Sequence, residues 1–268
     1  MNEAARALTT RLVEKVWGCT DLPKPFAAPH GQRIGEIWFE PPPELPQILV
    51  KYLFTSEKLS VQVHPSVADA RGGEAGKEEA WLVLDAEPGA QLAIGFEEPL
   101  QSDQIKVAAL DGSIERLLTW HDARAGDVFF LPAGTVHAIG PGLTLLEVQQ
   151  NSATTFRLYD YGRSRELHLE RGLKVANGGP YAAEHRSKVE PGGSNLVNSA
   201  HFRIDRIEGA PDRTLLEANR QPLLVLPLSG LIRTKGGEEA AAGECLYAEN
   251  AAVLDFADAG VTILTRPN

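Results

Sequence analysis

The chain has 268 residues, of which 43% are hydrophobic and 23% are charged. This length and composition are typical of a globular protein with one large or two modest domains, and they exclude a disordered chain. The formal net charge of −10 argues against nucleic-acid binding, because no basic stripe is present to neutralise phosphates, although a local cluster of cations can still bind a small phosphorylated molecule.

The two cysteines, Cys19 and Cys245, lie far apart and have no metal-binding spacing. We therefore expect neither a structural disulfide nor a cysteine-rich zinc site, which fits a reducing compartment. The first residues have no apolar core of a signal peptide, and no apolar run approaches the length of a membrane span. The sequence thus predicts a cytoplasmic protein that binds no membrane, and it leaves monomer and homodimer open.

Residues 3–16 have a periodicity that does not distinguish a short helix from an extended segment. Short β-rich runs separated by Pro, Gly, Asp and Ser clusters follow, as in an all-β sandwich or barrel. These predicted strands are Ile34–Phe39, Gln47–Phe54, Leu59–His64, Glu79–Leu84 and Gln91–Phe96. Two helices are then predicted, Ser102–Asp111 and Ser113–Thr119.

Further strands are predicted beyond these helices, with one more helix at Leu167–Asn177 that ends before Gly178-Gly179-Pro180. The predicted strands are Asp127–Leu131, Leu143–Gln149, Thr155–Tyr159, His201–Ile207, Leu223–Leu228, Gly230–Arg233, Glu244–Tyr247, Ala252–Phe256 and Val261–Thr265. The segment 178–195 is rich in Gly, Pro, Ser and charge and predicts a linker. We expect an N-terminal domain at residues 1–185 and a C-terminal β domain at residues 195–268.

The segment Gly126–His137 reads G-x5-P-x-G-x2-H. A short apolar strand leads into a sharp turn at Pro132–Gly134, and His137 then begins the next strand, where it can point into a barrel. This pattern resembles the second sequence motif of the cupin jelly-roll barrels. The resemblance implies a mainly β fold, namely a cupin jelly-roll barrel with a few helices.

The C-terminal part contains a weak echo of the same motif, because residues 242–248 resemble residues 125–131. No histidine follows the turn of the echo. The echo predicts a second, degenerate cupin-like barrel without a metal, and thus a bicupin. Generic β patterning is the alternative explanation.

Gln62 and His64 are two residues apart in a predicted strand, so their side chains leave the same face. Glu79 begins the next apolar strand and can point toward His64, whereas Glu78 would point the opposite way. With His137, these residues offer two imidazoles, one amide and one carboxylate. Such a set, with room for water, is typical of an open catalytic zinc site, and its mixed donors would also admit iron or manganese.

Glu147, Gln149 and Arg157 are polar residues inside otherwise apolar predicted strands. Polar side chains in a barrel are costly unless they are paired or used. A structural ion pair between Glu147 and Arg157 is one explanation. The other is a carboxylate base beside a basic anchor for an anionic substrate.

Four segments together resemble the type I mannose-6-phosphate isomerases in their short bacterial form. They are Ser60-Val-Gln62-Val-His64-Pro65, Gly76-Lys77-Glu78-Glu79-Ala80-Trp81, Pro132-Ala-Gly-Thr-Val-His137-Ala-Ile-Gly140, and Glu147-Val-Gln-Gln-Asn-Ser-Ala-Thr-Thr-Phe-Arg157-Leu-Tyr-Asp-Tyr-Gly-Arg163. Arg165-Glu-Leu-His168 before a predicted helix adds to the resemblance, which runs in order from about Trp17 to Asn177. The C-terminal part matches only as a plausible second barrel.

The resemblance implies the interconversion of mannose 6-phosphate and fructose 6-phosphate through an enediol, with one zinc ion per chain. It implies as zinc ligands Gln62, His64, Glu79 and His137. It implies that Arg157 and Lys77 are active-site cations and that Glu147 is the proton-transfer base. Ser60 and Arg163, with Lys77, would bind the phosphorylated substrate.

Other functions remain open at this point. Another cupin metalloenzyme, either a different sugar-phosphate isomerase or an iron dioxygenase, would use the same scaffold. A non-catalytic sugar-binding cupin is a third possibility, because a fold does not determine a function. Without the family resemblance, Lys77 and Arg163 would equally be explained as solvated surface charges.

Overall fold

The computed structural model describes residues 4–72 and 74–268. Strands dominate it, and all the sheet pairings are antiparallel. The strands up to residue 188 are β1 (Ala5–Ala7), β2 (Thr10–Cys19), β3 (Ile34–Phe39), β4 (Ile48–Thr55), β5 (Val61–Val63), β6 (Glu79–Ala86), β7 (Gln91–Phe96), β8 (Leu118–Asp122), β9 (Asp127–Leu131), β10 (His137–Ile139), β11 (Leu143–Gln150), β12 (Phe156–Tyr159) and β13 (Arg186–Lys188).

The later strands complete the C-terminal part. They are β14 (Ser194–Asn198), β15 (Phe202–Glu208), β16 (Leu223–Pro227), β17 (Leu231–Thr234), β18 (Glu239–Ala241), β19 (Leu246–Ala248), β20 (Leu254–Asp255) and β21 (Val261–Pro267). Four α-helices are α1 (Ser102–Asp111), α2 (Ile114–Leu117), α3 (Leu169–Val175) and α4 (Arg213–Ala218), and 3-10 turns lie at Ala183–His185 and Ala251–Val253. Within the described residues, no helix combines the length and apolar character that crossing a membrane requires.

Two sheets enclose the core of the N-terminal part. The first has seven strands in the order β13-β9-β6-β11-β4-β3-β2, and the second has five in the order β12-β5-β10-β7-β8. The buried side chains that pack between them include Leu53, Trp81, Leu92, Ile94, Phe129 and Leu145. All eight residues of β4 are buried, because the outer face of the seven-stranded sheet is covered as well.

The cover on that outer face is a six-stranded sheet, in the order β1-β19-β16-β21-β15-β14. Tyr52 and Phe54 of β4 share one apolar core with Phe202, Leu224 and residues from the same sheet. A second core separates the six-stranded sheet from the three-stranded sheet β18-β17-β20. The short strand β1 comes from the start of the described chain, yet it pairs with β19 near the end.

The helices α1, α2 and α3 lie on the outer side of the five-stranded sheet. Helix α1 begins after Gln101, which forms a reciprocal capping box with Gln104, and it ends at Gly112 in the left-handed conformation. Its buried residues, Ile105, Ala108 and Ala109, pack onto the apolar face of the five-stranded sheet. The sheets and helices thus form successive layers, which leave the space between the first two sheets for the site.

The predicted strands and helices are largely confirmed, with several differences. Helix α4 and strand β8 were not predicted, and the predicted helix Ser113–Thr119 ends at Leu117, where β8 follows. Of the two alternatives left open for residues 3–16, the extended one is found in the strands Ala5–Ala7 and Thr10–Cys19. Bulges against β3 break the alternation that would have revealed the second strand. The predicted linker 178–195 contains β13, which extends the sheet beyond β9 and holds Arg186 against the buried carboxylate of Asp127. The predicted strand Ala252–Phe256 begins within a 3-10 turn, Ala251–Val253, and contains a strand of only two residues, Leu254–Asp255.

Candidate active site and metal centre

Strand register brings the predicted site residues together between the seven-stranded and five-stranded sheets. His137 of β10 and Arg157 of β12 both pair with Gln62 of β5. On the opposite sheet, Glu147 of β11 pairs with Trp81 and with a lysine of β4. Directly opposed residues in antiparallel strands share a face, so these side chains enter the same interior space.

Three buried side chains converge there with a ligand atom each. One such atom from each of His64, Glu79 and His137 lies within 4.8 Å of the other two. The Nε2 atoms of His137 and His64 lie 3.3 and 3.4 Å from the two carboxylate oxygens of Glu79. The side-chain amide nitrogen of Gln62 is 3.2 Å from His137 Nε2, so rotation of that amide would add an oxygen donor to the same centre.

The two imidazoles are oriented by their outer nitrogens. The Nδ1 atom of His64 is 2.9 Å from the carbonyl oxygen of Thr154, and that of His137 is 2.9 Å from the carbonyl oxygen of Thr135. Each Nε2 atom therefore faces the centre, as it does in metal sites whose ligands are held by carbonyl groups. Burial lowers the pKa of both histidines, that of His64 to about 3. Both rings are neutral at pH 7, which is the metal-binding form.

Glu79 supplies the carboxylate of the candidate metal site. Its carboxylate is buried, and its oxygens face the Lys77 ammonium and the two imidazoles. Burial alone would raise the pKa of Glu79, but Lys77 and the two histidines hold it well below its usual value. The ammonium of Lys77 lies 2.7 Å from Glu79 Oε2 and 3.1 Å from His64 Nε2. Two imidazoles, a carboxylate and a neighbouring amide fit a divalent metal such as zinc.

Glu147 lies next to this centre and differs from Glu79 in its electrostatics. The Lys51 ammonium is 3.0 Å from Glu147 Oε1, and Trp81 Nε1 donates a hydrogen bond of 3.1 Å to Oε2. Burial and the nearby charge of Glu79 nevertheless raise the pKa of Glu147. A carboxylate with a raised pKa is suited to accept and return a proton near neutral pH.

The lysine that holds Glu147 was not predicted from the sequence. Lys51 also lies 3.7 Å from Glu36, which in turn contacts Lys15 at 3.3 Å and accepts a hydrogen bond from Trp38. Burial would lower the pKa of Lys51, but the two carboxylates raise it above its ordinary value. The available signal was a single lysine inside the apolar strand Ile48–Thr55, where an unpaired charge is costly.

A cavity of about 340 Å³ opens onto Glu79, Glu147 and Lys51, whereas His64 and His137 are not among its lining residues. The predicted residues that line it are Ser60, Gln62, Lys77, Glu79, Glu147 and Arg157. The Ser60 hydroxyl donates to Gln62 Oε1 over 3.3 Å. Arg163 is not among the lining residues, because its guanidinium is held by Asp160 and by the carbonyl of Lys58.

The alternative of an ion pair between Glu147 and Arg157 is not observed. Glu147 pairs with lysines, whereas Arg157 donates from Nη1 to the carbonyl oxygen of Glu166 over 2.7 Å. The geometry therefore separates a deep cluster of carboxylates, lysines and imidazoles from an arginine on the cavity wall. Such an arrangement can hold a metal ion, move a proton and bind an anion within one cavity.

The chain is similar in sequence to several known proteins. No protein-family model matches the chain. The chain is 40% identical over 207 residues to the mannose-6-phosphate isomerase ManA of Bacillus subtilis, covering 71% of this chain and 64% of that protein. It is 42% identical over 136 residues to a mannose-6-phosphate isomerase of Streptococcus mutans, covering 48% and 43%. The aligned regions thus span about half to two thirds of these relatives.

Solved structures extend the comparison to the whole chain. A mannose 6-phosphate isomerase from Bacillus subtilis superposes with a TM-score of 0.75 at 22% identity, covering 98% of this chain and all of that one. A putative mannosephosphate isomerase from Archaeoglobus fulgidus gives a TM-score of 0.77 at 21% identity, covering 98% and 97%. These likenesses show the cupin fold. The chain is thus similar to mannose-6-phosphate isomerases in sequence over as much as 71% of its length, and it shares the fold of solved ones.

Proposed function

We propose that this chain is a zinc-dependent aldose–ketose isomerase that interconverts mannose 6-phosphate and fructose 6-phosphate. The observation that carries the proposal is the convergence of His64, Glu79 and His137 with the raised-pKa carboxylate of Glu147 beside one cavity. The names of the sequence relatives support this reaction. In an iron dioxygenase or a non-catalytic sugar-binding cupin, the buried Glu147 with its partners Lys51 and Trp81 would have no chemical role.

The metal would be held by Gln62, His64, Glu79 and His137, with one ion per chain. When bound, a divalent ion supplies Lewis-acid stabilisation of negative charge on substrate oxygens. A mannose 6-phosphate isomerase whose structure is described as zinc-bound is among the similar folds, at 14% identity, which supports zinc over the iron or manganese that the same donors admit.

Glu147 would move the proton. Isomerisation removes a proton from the carbon beside the carbonyl and returns it to the neighbouring carbon, through an enediol. The carboxylate accepts that proton more readily because its pKa is raised, and a positioned base typically contributes about 10²–10⁴-fold. Lys51 and Trp81 hold its two oxygens in place.

Binding of an anionic substrate would involve the cavity wall. Arg157 and Lys77 line the cavity, and so does Ser60, whose hydroxyl also contacts Gln62. Binding of the phosphate by Arg163 stays a prediction, and its guanidinium would have to release Asp160 to reach the phosphate. The domain division at 1–185 and 195–268, the second cupin-like barrel, the oligomeric state and the cytoplasmic location also remain predictions.

The proposal is tested by measuring fructose 6-phosphate formed from mannose 6-phosphate, before and after chelation and with zinc added back. We expect activity to be lost with the metal and restored by zinc. His137→Ala should lose both zinc and activity, whereas His30→Ala, an exposed histidine, should retain both. A zinc-loaded, folded protein without this activity would refute the proposal, and oxygen-dependent turnover would favour a dioxygenase.

A further inference from the structure

Arg165 reaches the cavity from a segment that folds back along β12. The chain turns after β12, where Tyr161 and Gly162 have φ angles of 53° and 77°, the first of which is uncommon for a residue with a side chain. The returning segment is then hydrogen-bonded to Arg157: the Arg157 amide donates to His168 Nδ1, and the His168 amide donates to the Arg157 carbonyl. Arg165 and Arg157 consequently line the same cavity.

Asp160 determines how Arg165 is presented. The Nε and Nη2 groups of Arg165 donate to the two oxygens of Asp160 over 2.7 and 2.6 Å. Asp160 is buried, with 2% of its surface exposed. A bidentate pair fixes the plane of the guanidinium, and it leaves the Nη1 amino group for another acceptor. The Arg165 side chain is 31% exposed, which places it at the mouth of the cavity.

Arg157 needs an acceptor that the described residues do not supply. Its Nε atom is buried and makes no hydrogen bond with the described part of the chain. Burial and the neighbouring charge of Arg165 lower the pKa of Arg157. Arg157 thus has a buried donor without an acceptor near the positive charge of Arg165, and a bound anion would satisfy that donor.

The charges around the cavity also favour the binding of an anion. Five cations and three carboxylates line it, an excess of two positive charges before any metal is counted, in a chain with a net charge of −10. Each lysine pairs with one of these carboxylates: Lys15 with Glu36, Lys51 with Glu147, and Lys77 with Glu79. The two arginines have no such partner among the lining carboxylates, and Asp160, which lies outside the lining, is shared by Arg165 and Arg163. One carboxylate therefore faces more than one guanidinium at this end of the cavity.

We propose that Arg165, together with Arg157, binds the phosphate group of a sugar phosphate at the mouth of the cavity and so selects phosphorylated over neutral sugars. This assignment rests on the proposed function and adds a residue to it. The deep cluster around Glu79 and Glu147 would then face the other end of the sugar. Arg163 shares Asp160 with Arg165 but lies outside the cavity lining, so the two arginines can be distinguished by experiment.

Phosphate binding is measured directly, by titrating the zinc-loaded protein with inorganic phosphate at constant ionic strength. Trp17, Trp38 and Trp81 line the cavity and provide a fluorescence signal. We expect Arg165→Gln to weaken phosphate binding by about 10- to 100-fold, which is the loss of a hydrogen-bonded charge. Arg165→Lys should be intermediate because it keeps the charge without the fork. Arg163→Gln, which disturbs Asp160 from the other side, should weaken binding less.

Turnover provides the second readout. Arg165→Gln should raise KM for mannose 6-phosphate more than it lowers kcat, with unchanged zinc content. Arg163→Gln, which also removes a cation from the buried Asp160, controls for any loss of thermal stability. Phosphate binding equal to the wild type, no phosphate binding by the wild type, or a larger loss in Arg163→Gln would each overturn the assignment. Arg165-dependent phosphate binding without isomerase activity would instead refute the proposed reaction and leave this site standing.

Discussion

Replacement of Lys51 by methionine tests the charge arrangement beneath the cavity. Methionine retains the length and apolar stem of lysine and removes its charge. Lys51 lies 3.0 Å from Glu147 and 3.7 Å from Glu36, and each attraction is worth about 5 kcal/mol at an effective dielectric constant of 20. Desolvation of the three ions offsets part of this sum, so the expected net destabilisation is about 3–5 kcal/mol, the usual result of leaving buried charges unpaired.

The assay is reversible urea unfolding of the metal-free protein, so that altered metal binding does not contribute. The matched variant is Lys51→Met/Glu147→Gln. It also neutralises Glu147, one of the two carboxylates that lose Lys51 as a partner. We expect the double variant to be more stable than Lys51→Met alone, since the interacting pair has been removed together. A Lys51→Met protein within about 0.5 kcal/mol of the wild type, which is the usual effect of a surface substitution, would refute the reasoning.

Three further outcomes are expected. Glu147→Gln should lower kcat by about 10²–10⁴-fold with its zinc content unchanged, and near-normal turnover would exclude it as the base. Because burial lowers the pKa of His64 and His137, these rings stay neutral as pH falls through about 6.5, where ordinary imidazoles gain a proton. Bound zinc measured after equilibration should therefore not drop in that range, whereas loss of half the metal there would contradict the burial argument. Gly95→Ala places a Cβ atom 2.5 Å from a backbone nitrogen and should lower stability more than Gly89→Ala, which has a similar φ and open space. Equal urea midpoints for the two variants would contradict this expectation, because the backbone at Tyr181 would then move aside without a cost in stability.

The bounds of strands and helices could be predicted best where the residue pattern repeats with the period of the secondary structure. The bounds of Ile34–Phe39, Gln91–Phe96, Asp127–Leu131 and helix Ser102–Asp111 were predicted as the structure has them. Alternation and turn residues are local properties, so no partner strand had to be known. Residues 10–19 could not be assigned in this way, because an edge strand with bulges loses its alternation.

The candidate site likewise contains residues that could be predicted from the sequence and residues that could not. His64, Glu79 and His137 could be predicted because a motif marks each of them, and the structure brings them together. Lys51 and Arg165 could not be assigned from spacing alone. Lys51 acquires its partners from β3 and β11 only through strand register, and Arg165 reaches the cavity only because the chain reverses after β12. Contacts set by pairing and reversal are properties of the assembled sheet.

The pairing of β1 with β19 has a consequence for the order of folding. Ala5–Ala7 leaves the ribosome long before its partner Leu246–Ala248 is synthesised. Local hairpins can form during synthesis, whereas a contact across so long a loop forms slowly. We expect hydrogen exchange during refolding to protect β11 and β4 before β1. The edge at β19 stays open until the first strand joins it, and the final step of folding therefore needs segments from both ends of the described chain.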